Sequence, residues 1–487
     1  MTHFYLHINR LSSFASFAIG SIVLLLVLII VPHLLPNNAE LLQTPIAPGI
    51  MLVWLITAGV YKLTRTTSVY GWIVLTLATL ILSVGIILNL NYFSAIEATQ
   101  IANGVFDNNG LLNPDSLKYW LDGTFHYTNG EEGCETSTHQ QGYGLMLSWL
   151  WILTGKSLFA SLSLNALFIL LTIIISGVIC RRFIGENKHS SVIAMALTAS
   201  ICYFLNSGTL LLKEAPLSFA MALAILGISK LCIKPTTTKS DALLWVCLVG
   251  GIIFTAFIRL NFVIYLLLAT IMFYRRKTTS LHEWTFIASL CIVVWVGAKI
   301  LILNIGESSS DIGIVTGYGL NNSFFFDSPQ HSTFNSIFEG YFDFPIWKKV
   351  LLLPITVVVQ FLIPFPWDFA SYSVYGPTLV YARIAYPWYA IGGIILYYIC
   401  IGRRGSPISL MRLTIWAMIV WIIPAYLFAG TVSRYTLPII PMLIPAATYA
   451  VIHLRKMKSF KLWLAIYSII LIVGLVSAYN IQHVVIK

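Results

Sequence analysis

The chain has 487 residues, of which 58% are hydrophobic and only 10% are charged. This small number of charged groups cannot cover the surface of a water-soluble protein of this length. The composition therefore excludes a soluble enzyme and predicts an all-α polytopic integral membrane protein. The formal net charge of +11 comes from Lys and Arg beside apolar segments, and we therefore do not interpret it as nucleic-acid binding.

We predict about thirteen transmembrane helices, because each crossing needs roughly 20 apolar residues to cover a hydrocarbon layer about 30 Å thick. The first helix is too long for a secretory signal peptide and lacks the small-residue cleavage site, so we expect it to be retained. The predicted organisation is a single transmembrane domain over residues 1–487. Its predicted crossings are 17–35, 48–62, 69–89, 158–180, 190–207, 209–231, 243–258, 260–274, 284–304, 384–401, 410–429, 436–453 and 462–480.

The basic residues predict the orientation of these helices. Nineteen of the 29 Lys and Arg lie before the first crossing or cluster at alternate turns, with only three acids among them. Under the positive-inside rule these turns are cytoplasmic, which puts the N-terminus inside and two large segments, 90–157 and 305–383, outside. The clusters contain Lys62, Arg65, Arg181, Arg182, Lys188, Lys230, Lys234, Lys239, Arg275, Arg276, Lys277, Arg403, Arg404, Arg412, Arg455, Lys456, Lys458 and Lys461.

Two apolar stretches are predicted to lie along the outer interface rather than to cross. A crossing at 350–365 would move Arg403 and Arg404 outside, and prolines in and beside this stretch interrupt a clean helix. Residues 144–153 are shorter and rich in Trp, a residue that favours the membrane interface. Both are therefore expected to be interfacial helices.

Cysteine usage and short motifs exclude several kinds of chemistry. Six of the seven cysteines lie in or beside apolar spans and only Cys134 is in an outer segment, so we predict no disulfide within the chain. The sequence contains no Walker loop and no CxxC, HExxH or GxSxG motif. Nucleotide binding, zinc chemistry and serine hydrolysis therefore lack their usual signatures.

Four basic residues stand at predicted outer helix ends instead of in the cytoplasmic clusters: Lys213, Arg259, Lys299 and Arg434. Ionisable groups at that depth cost a few kcal/mol unless they are paired, which makes them functional candidates. The structural alternatives are that Lys213 pairs with Glu214 or snorkels, that Arg259 binds helix C-terminal carbonyls, and that Lys299 snorkels. Their common depth opposite an acid-rich segment favours an anion site for a phosphorylated ligand.

The stretch NPDSLKYWLDG, residues 113–123, carries Asp115 and Asp122 in the first outer segment. We expect a helix that begins at Asp115 and ends near Gly123. A base at the start of this helix would lie just above the cations. The alternative role of Asp115 is an N-terminal helix cap, which does not exclude catalysis.

The motifs follow one another in a recognisable order. DSLKYW is followed by HQQGYGLMLSWLWILTGKSLFASLSLNALFILLTIIISGVICRRFIG, and later by SRYTLPIIPMLIPA. This order resembles the lipid-dependent membrane glycosyltransferases of the GT-C superfamily, in the branch that includes protein O-mannosyltransferases and the aminoarabinose transferase of lipid A. Its pattern is an acid-x-x-x-Tyr element, a His/Pro/Gly-rich stretch, an interfacial helix ending in Gly, a span ending in paired Arg, and a late Arg-Tyr-x-x-x-x-x-Pro segment.

The likeness covers about residues 110–455, and FLIPFPWDF at 361–369 is similar to a segment of bacterial polysaccharide-assembly members. Three features depart from the family pattern. Two spans precede the usual first helix, the family's double acid is a single Asp115, and Gln-Gln-Gly follows His139 where the family has Pro-Pro.

The resemblance implies a site on the outer face that uses a polyprenyl-phosphate-linked sugar. We assign Asp115 as the catalytic base, with Asp107 and Asp122 as alternative acids. The resemblance leaves the use of a divalent metal open. We assign no metal ligand and no other cofactor. Tyr119 and Tyr435 have the alternative role of interface aromatics. The predicted substrate-binding residues are Lys213, Glu214, Arg259, Arg434, Tyr435, Tyr119 and His139.

The prediction is thus a glycosyltransferase of a bacterial inner membrane whose active site faces the periplasm, with a lipid-linked or cell-surface glycan such as lipopolysaccharide O-antigen as acceptor. Membrane lipids are its other partners, and no nucleic acid is expected. An O-antigen or capsule polymerase or ligase is the alternative enzyme. A third possibility is a transporter or lipid-linked sugar flippase, for which we would expect inverted repeats and charged residues near mid-membrane. The sequence has no such repeat and few charges within its predicted crossings. We expect the long outer segment 305–349 to form part of the acceptor groove.

Overall fold

The computed structural model describes residues 2–35, 42–64, 67–103, 114–132, 141–185, 188–234, 237–305, 345, 347–348, 351, 386–402, 405–428, 437–455 and 457–480. Every regular element within these residues is a helix. The predicted interfacial stretch 350–365, the predicted acceptor segment 305–349 and Cys134 lie almost entirely outside them. The cysteines within them are free thiols.

Sixteen α-helices follow one another along the described parts of the chain. Three of them, α9, α13 and α15, are continued by short 3-10 or π-helical turns at Ser229–Leu231, Tyr398–Gly402 and Ala450–Leu454. The α-helices are α1 (Thr2–Leu34), α2 (Ile46–Leu63), α3 (Val69–Asn103), α4 (Pro114–Tyr127), α5 (Gln141–Thr154), α6 (Leu158–Ile184), α7 (Lys188–Ser200), α8 (Cys202–Ser207), α9 (Glu214–Ile228), α10 (Thr238–Arg259), α11 (Phe262–Phe273), α12 (Leu281–Ile305), α13 (Tyr386–Tyr397), α14 (Ile408–Phe428), α15 (Ile440–Tyr449) and α16 (Lys458–Asn480).

Eight helices in the described part of the chain are long and apolar enough to cross a membrane. They correspond to eight of the thirteen predicted crossings. Four other predicted crossings, 260–274, 284–304, 384–401 and 410–429, coincide with shorter apolar helices. One of these, α11, has 12 residues and so rises only about 18 Å, less than the hydrocarbon thickness. The all-α membrane architecture is confirmed, whereas a count of thirteen crossings is not.

The centre of the bundle is formed by α6, α9 and α15. Within their most apolar windows, 72%, 89% and 83% of the residues are buried, compared with 17% in α1 and 6% in α16. The two outermost helices therefore present apolar side chains to the surroundings, as expected where hydrocarbon is the solvent. Large buried aromatic side chains, Trp54, Trp151, Trp388 and Trp416 among them, fill the interior.

The predicted crossing 190–207 is wrong as a single helix. In the structure α7 ends at Ser200, the backbone of Ile201 is extended, and α8 begins at the next residue. Because an extended residue cannot continue the helical hydrogen-bond pattern, the chain changes direction here. The segment is too interrupted to be one spanning helix.

The predicted crossing 209–231 begins five residues too early. Residues 209–213 form a turn, and α9 starts at Glu214. Pro216 explains this boundary, because proline lacks the N–H that would bond the carbonyl of residue 212, and its ring clashes with that carbonyl. The non-helical turn carries Lys213 at its end.

The boundaries of the first outer segment also differ from the prediction. Helix α3 continues through residues 90–103, so the segment 90–157 begins inside a helix. Helix α4 starts at Pro114, one residue before the predicted start at Asp115, and it runs past Gly123 to Tyr127. Gly123 is tolerated inside α4 because it packs on Trp151 of α5: a Cβ there would lie 3.0 Å from the indole ring.

One end of the bundle collects basic side chains. Arg182, in the last turn of α6, donates to the Ser229 hydroxyl and the Ile233 carbonyl, and Arg412 donates to the carbonyl of Tyr274 over 2.9 Å. Cations next to helix C-terminal carbonyls are favourable because they oppose the negative end of the helix dipole. These residues belong to the clusters from which the sequence predicts a cytoplasmic face.

We expect reporter fusions to assign residues 181–189, 275–283 and 402–409 to the inside and 90–157 and 305–383 to the outside, because Lys and Arg are retained on the cytoplasmic side. Activity of periplasm-dependent and cytoplasm-dependent reporters at each position measures this. Finding 305–345 and 366–383 on opposite sides would mean that 350–365 spans the membrane and that the predicted topology is wrong.

Candidate active site

Two asparagines from neighbouring helices hold the turn that precedes α9. Asn165 of α6 donates its side-chain amide to the carbonyls of Leu210 and Leu212, over 2.7 and 3.1 Å. Asn89 of α3 donates to the carbonyl of Thr209 over 2.6 Å. Both asparagines are buried. A non-helical turn among apolar helices leaves carbonyls without helical partners, and these amides satisfy them.

Asn165 also joins the turn to α5. Its amide nitrogen lies 2.8 Å from the hydroxyl of Tyr143, which is fully buried near the start of α5. The ring of Tyr143 meets that of Tyr119 of α4 edge-to-face, with centroids 5.0 Å apart. A continuous polar and aromatic path therefore runs from α6 through α5 to α4.

Lys213 is fixed at the end of this path. Its ammonium nitrogen lies 5.4 Å from the centroid of the Tyr119 ring, within the range of a cation–π contact. The lysine side chain is only 4% exposed and that of Tyr119 only 2%. The structure thus brings together Lys213 and Tyr119, which are 94 residues apart in the sequence.

Glu214 adds a buried carboxylate to the same place. It is the first residue of α9 and is 2% exposed, and an acid is favourable at that position because the helix N-terminus is positive. Burial raises the pKa of the Tyr143 phenol, and the nearby Glu214 carboxylate acts in the same direction. Within the described residues, Oε2 of Glu214 has no hydrogen-bond partner.

Asp122 is buried between α4 and α5. A Cβ at Gly144 would lie 2.8 Å from its Cγ, so the glycine leaves the space that the aspartate occupies. The Oδ1 atom of Asp122 lies 3.9 Å from Nε2 of His126, one turn further along α4. This alternative acid therefore faces a helix interface, and it is 2% exposed.

Arg259 lies at the same end of the bundle, as the last residue of α10. Its guanidinium lies 5.1 Å from the centroid of the Phe262 ring. The start of α5 packs against the preceding residues, because Gly142 approaches the carbonyl of Phe257 and Trp149 stacks on the Phe257 ring with centroids 5.4 Å apart. Helix α5 therefore contacts both Tyr119 and the last turns of α10, which carry Arg259.

The remaining predicted site residues are described only in part. Asp115 is the second residue of α4, so its backbone stands one helical turn before Tyr119. Four predicted site residues, Asp107, His139, Arg434 and Tyr435, lie outside the described residues. No cluster of three or more His, Cys, Asp or Glu that could hold a metal ion occurs in the part of the chain that the structure describes.

Two residues that organise this site, Tyr143 and Asn165, are not among the predicted site residues. Each stands in a sequence context that could have pointed to it. Asn165 is an isolated amide in the apolar run of α6, and Tyr143 is flanked by two glycines. Those glycines reflect close packing of α5 on both sides, against α10 at Gly142 and against Asp122 at Gly144.

Replacing Asn165 with leucine is expected to destabilise the protein by about 1–3 kcal/mol, because two buried turn carbonyls lose their donor. Unfolding followed by circular dichroism in mixed detergent micelles measures the difference. Ser163→Ala on the same helix is the matched control, since within the described residues that hydroxyl has no hydrogen-bond partner. Equal stability of both variants would show that the asparagine does not hold the turn.

Comparisons with known proteins do not assign the chain to a family. No family model matches the sequence, and no curated protein does. Among solved structures, the chain is similar to ArnT from Cupriavidus metallidurans in the apo state, with 12% identity and a TM-score of 0.44 over 75% of this chain and 59% of that one. It is also similar to ArnT from that organism bound to undecaprenyl phosphate, with 14% identity and a TM-score of 0.45 over 79% and 60% of the two chains. The chain thus spans about 60% of the length of these structures, and at this TM-score the similarity carries no conclusion about activity.

Proposed function

We propose that this protein is a membrane glycosyltransferase that moves a sugar from a polyprenyl-phosphate donor to a lipid-linked or cell-surface glycan. The observation that carries the proposal is that Lys213 is buried at the end of a turn held by two asparagines, beside the buried Glu214 and in contact with Tyr119 of α4. Asp115 precedes Tyr119 by one turn of the same helix. A cation and a base are thus supplied by elements that pack together.

The position of Lys213 supports a binding role. Its side chain lies where the turn meets the first residue of α9, at the end of the apolar helices. A phosphate whose lipid tail stays in the membrane brings its charge to the ends of the helices, where this lysine and Arg259 are found. Cations at this depth suit a lipid phosphate better than a water-soluble nucleotide, and the sequence has no nucleotide-binding motif.

In the proposed reaction Asp115 takes the proton of the acceptor hydroxyl. The hydroxyl oxygen then forms a bond to the anomeric carbon, and the bond from that carbon to the phosphate oxygen breaks with its electron pair. Lys213, Arg259 and Arg434 stabilise the departing phosphate, where negative charge grows in the transition state. Glu214, Tyr119, Tyr435 and His139 contact the sugar or the phosphate. No step is routed through a metal.

We further propose that the site faces the periplasm from a bacterial inner membrane. The support is the distribution of charge, because the basic clusters lie on the other end of the helices that carry Lys213 and Arg259. The segment 305–349 would supply part of the acceptor groove, and a loop exchange that left acceptor choice unchanged would contradict this.

Replacing Lys213, Arg259 or Arg434 with alanine is expected to raise the apparent KM for the lipid donor or lower kcat, because each change removes a charge-assisted contact to phosphate. Transfer from a radiolabelled undecaprenyl-phosphate sugar measures both constants. Lys299→Ala is the control and should matter less.

Wild-type turnover in all three variants would contradict the phosphate site. The lipid donor also separates this proposal from a polymerase, because a transferase consumes a monosaccharide phospholipid whereas a polymerase consumes a diphospholipid oligosaccharide. Consumption of only the latter would replace the proposed transferase with the polymerase.

A further inference from the structure

A cavity of about 510 Å³ opens at the end of the bundle opposite the candidate active site. It lies where α9 ends and where α10 and α12 begin. Among the described residues, its walls contain Lys230, Lys234, Asp241, Glu283 and three threonines. The charged groups of these side chains, at the end of apolar helices, suit a charged or polar headgroup.

Lys230 builds the inner wall of this cavity. Its ammonium nitrogen lies 2.9 Å from Oδ1 of Asp241 and 3.2 Å from Oε1 of Glu283. It also lies 3.9 Å from the ring centroid of Trp245. The lysine side chain is 2% exposed, whereas the two carboxylates are about one-third exposed. The lysine thus fixes both carboxylates while each keeps part of its surface toward the cavity.

The charges of the lining residues balance. Two lysines face two carboxylates, and Lys234 is exposed. The first turn of α10 begins at Thr238, after the N-cap Thr237, and a helix N-terminus favours a phosphate group. The cavity therefore offers a positive side, made of Lys234 and this helix end, and a negative side, made of Asp241 and Glu283.

Apolar side chains continue from the cavity into the hydrocarbon region. Helix α10 is a candidate membrane span from Thr238 onward. Leu243 and Val246 of α10 are 62% and 68% exposed, and Phe286 of α12 is 52% exposed. These side chains stand within the first turns of the helices whose ends line the cavity. They offer a surface for acyl chains next to a site for a headgroup.

From this geometry we propose that the cavity binds a phospholipid with a zwitterionic primary-amine headgroup, phosphoethanolamine. The ammonium of the headgroup donates to Asp241 and Glu283, and its phosphate contacts Lys234 and the start of α10. A choline headgroup has no N–H to donate to the carboxylates. A glycerol headgroup brings no cation to the negative charge that remains when Lys230 pairs with two carboxylates. The proposal requires that α10 lies in a membrane and does not depend on the proposed sugar transfer.

Native mass spectrometry of the delipidated full-length protein with dioleoyl lipids tests the site. We expect phosphatidylethanolamine to bind more tightly than phosphatidylcholine or phosphatidylglycerol. Asp241→Asn and Lys234→Gln should each weaken phosphatidylethanolamine binding about tenfold, the usual effect of losing one charge-assisted hydrogen bond. Lys239→Gln is the matched control, because Lys239 is an exposed residue of α10, the helix that carries Asp241, but it does not line the cavity.

Three outcomes would overturn the proposal: equal binding of the three lipids, tighter binding of phosphatidylglycerol, or unchanged phosphatidylethanolamine binding by both variants. Lys234→Gln keeps the experiment decisive if Asp241→Asn disturbs the pairing of Lys230, because Lys234 takes no part in that pairing.

Discussion

Asp115→Asn is expected to fold, reach the membrane and bind undecaprenyl phosphate, yet transfer sugar on the order of 10²–10⁴-fold more slowly than the wild type, the usual contribution of a positioned base. Asparagine keeps the size and the capping ability of aspartate but cannot accept a proton at neutral pH. Single-turnover transfer from a labelled polyprenyl-phosphate sugar measures the loss, and binding of the unlabelled lipid separates chemistry from affinity.

Asp122→Asn is the matched control for Asp115→Asn. The two positions are seven residues apart on α4, which puts them on the same side of the helix about 10 Å apart. Asp122 is buried against Gly144 and near His126, so its isosteric amide should leave turnover close to that of the wild type.

The three acids distinguish failure of the base assignment from failure of the proposed function. If Asp115→Asn transfers sugar normally while Asp107→Asn or Asp122→Asn is inactive, the base is a different acid. If all three variants remain active, the glycosyltransferase proposal is wrong.

Lys230→Met is expected to lower the free energy of unfolding by about 3 kcal/mol, because breaking a buried ion pair leaves charged partners without compensation. The two carboxylates are one-third exposed, so the expected loss is at the low end of the range for buried pairs. Methionine keeps the length of the side chain and its contact with Trp245. Equilibrium unfolding in mixed detergent micelles measures the change.

Two further variants make this experiment specific. Lys239→Met, on an exposed side chain of α10, should leave stability unchanged. The triple variant K230M/D241N/E283Q should recover most of the lost stability, because it removes the two uncompensated charges as well. If Lys230→Met is as stable as the wild type, the link between α9, α10 and α12 contributes nothing.

Composition and apolar runs alone were enough to predict that this protein lies in a membrane and to predict most of its helices. With so few charges and so many long apolar runs, the backbone can be satisfied only within helices, and the part of the chain that the structure describes has eight helices of spanning length. Residue type alone also singled out Lys213 and its neighbour Glu214, since ionisable groups at helix ends among apolar residues stand out in any sequence, whereas Tyr119 was predicted from the family resemblance.

What the sequence did not determine is where helices break and which side chains meet. Pro216 accounts locally for the start of α9, but the carbonyls of the turn before it are satisfied by Asn89 and Asn165, which no local pattern connects to that turn. The pairing of Lys230 with Asp241 and Glu283 is likewise a contact between three helices. Hydrophobic periodicity indicates which residues of a segment are exposed to solvent or lipid. These hydrogen bonds and ion pairs depend instead on how the helices pack against one another, and that packing is a property of the tertiary structure.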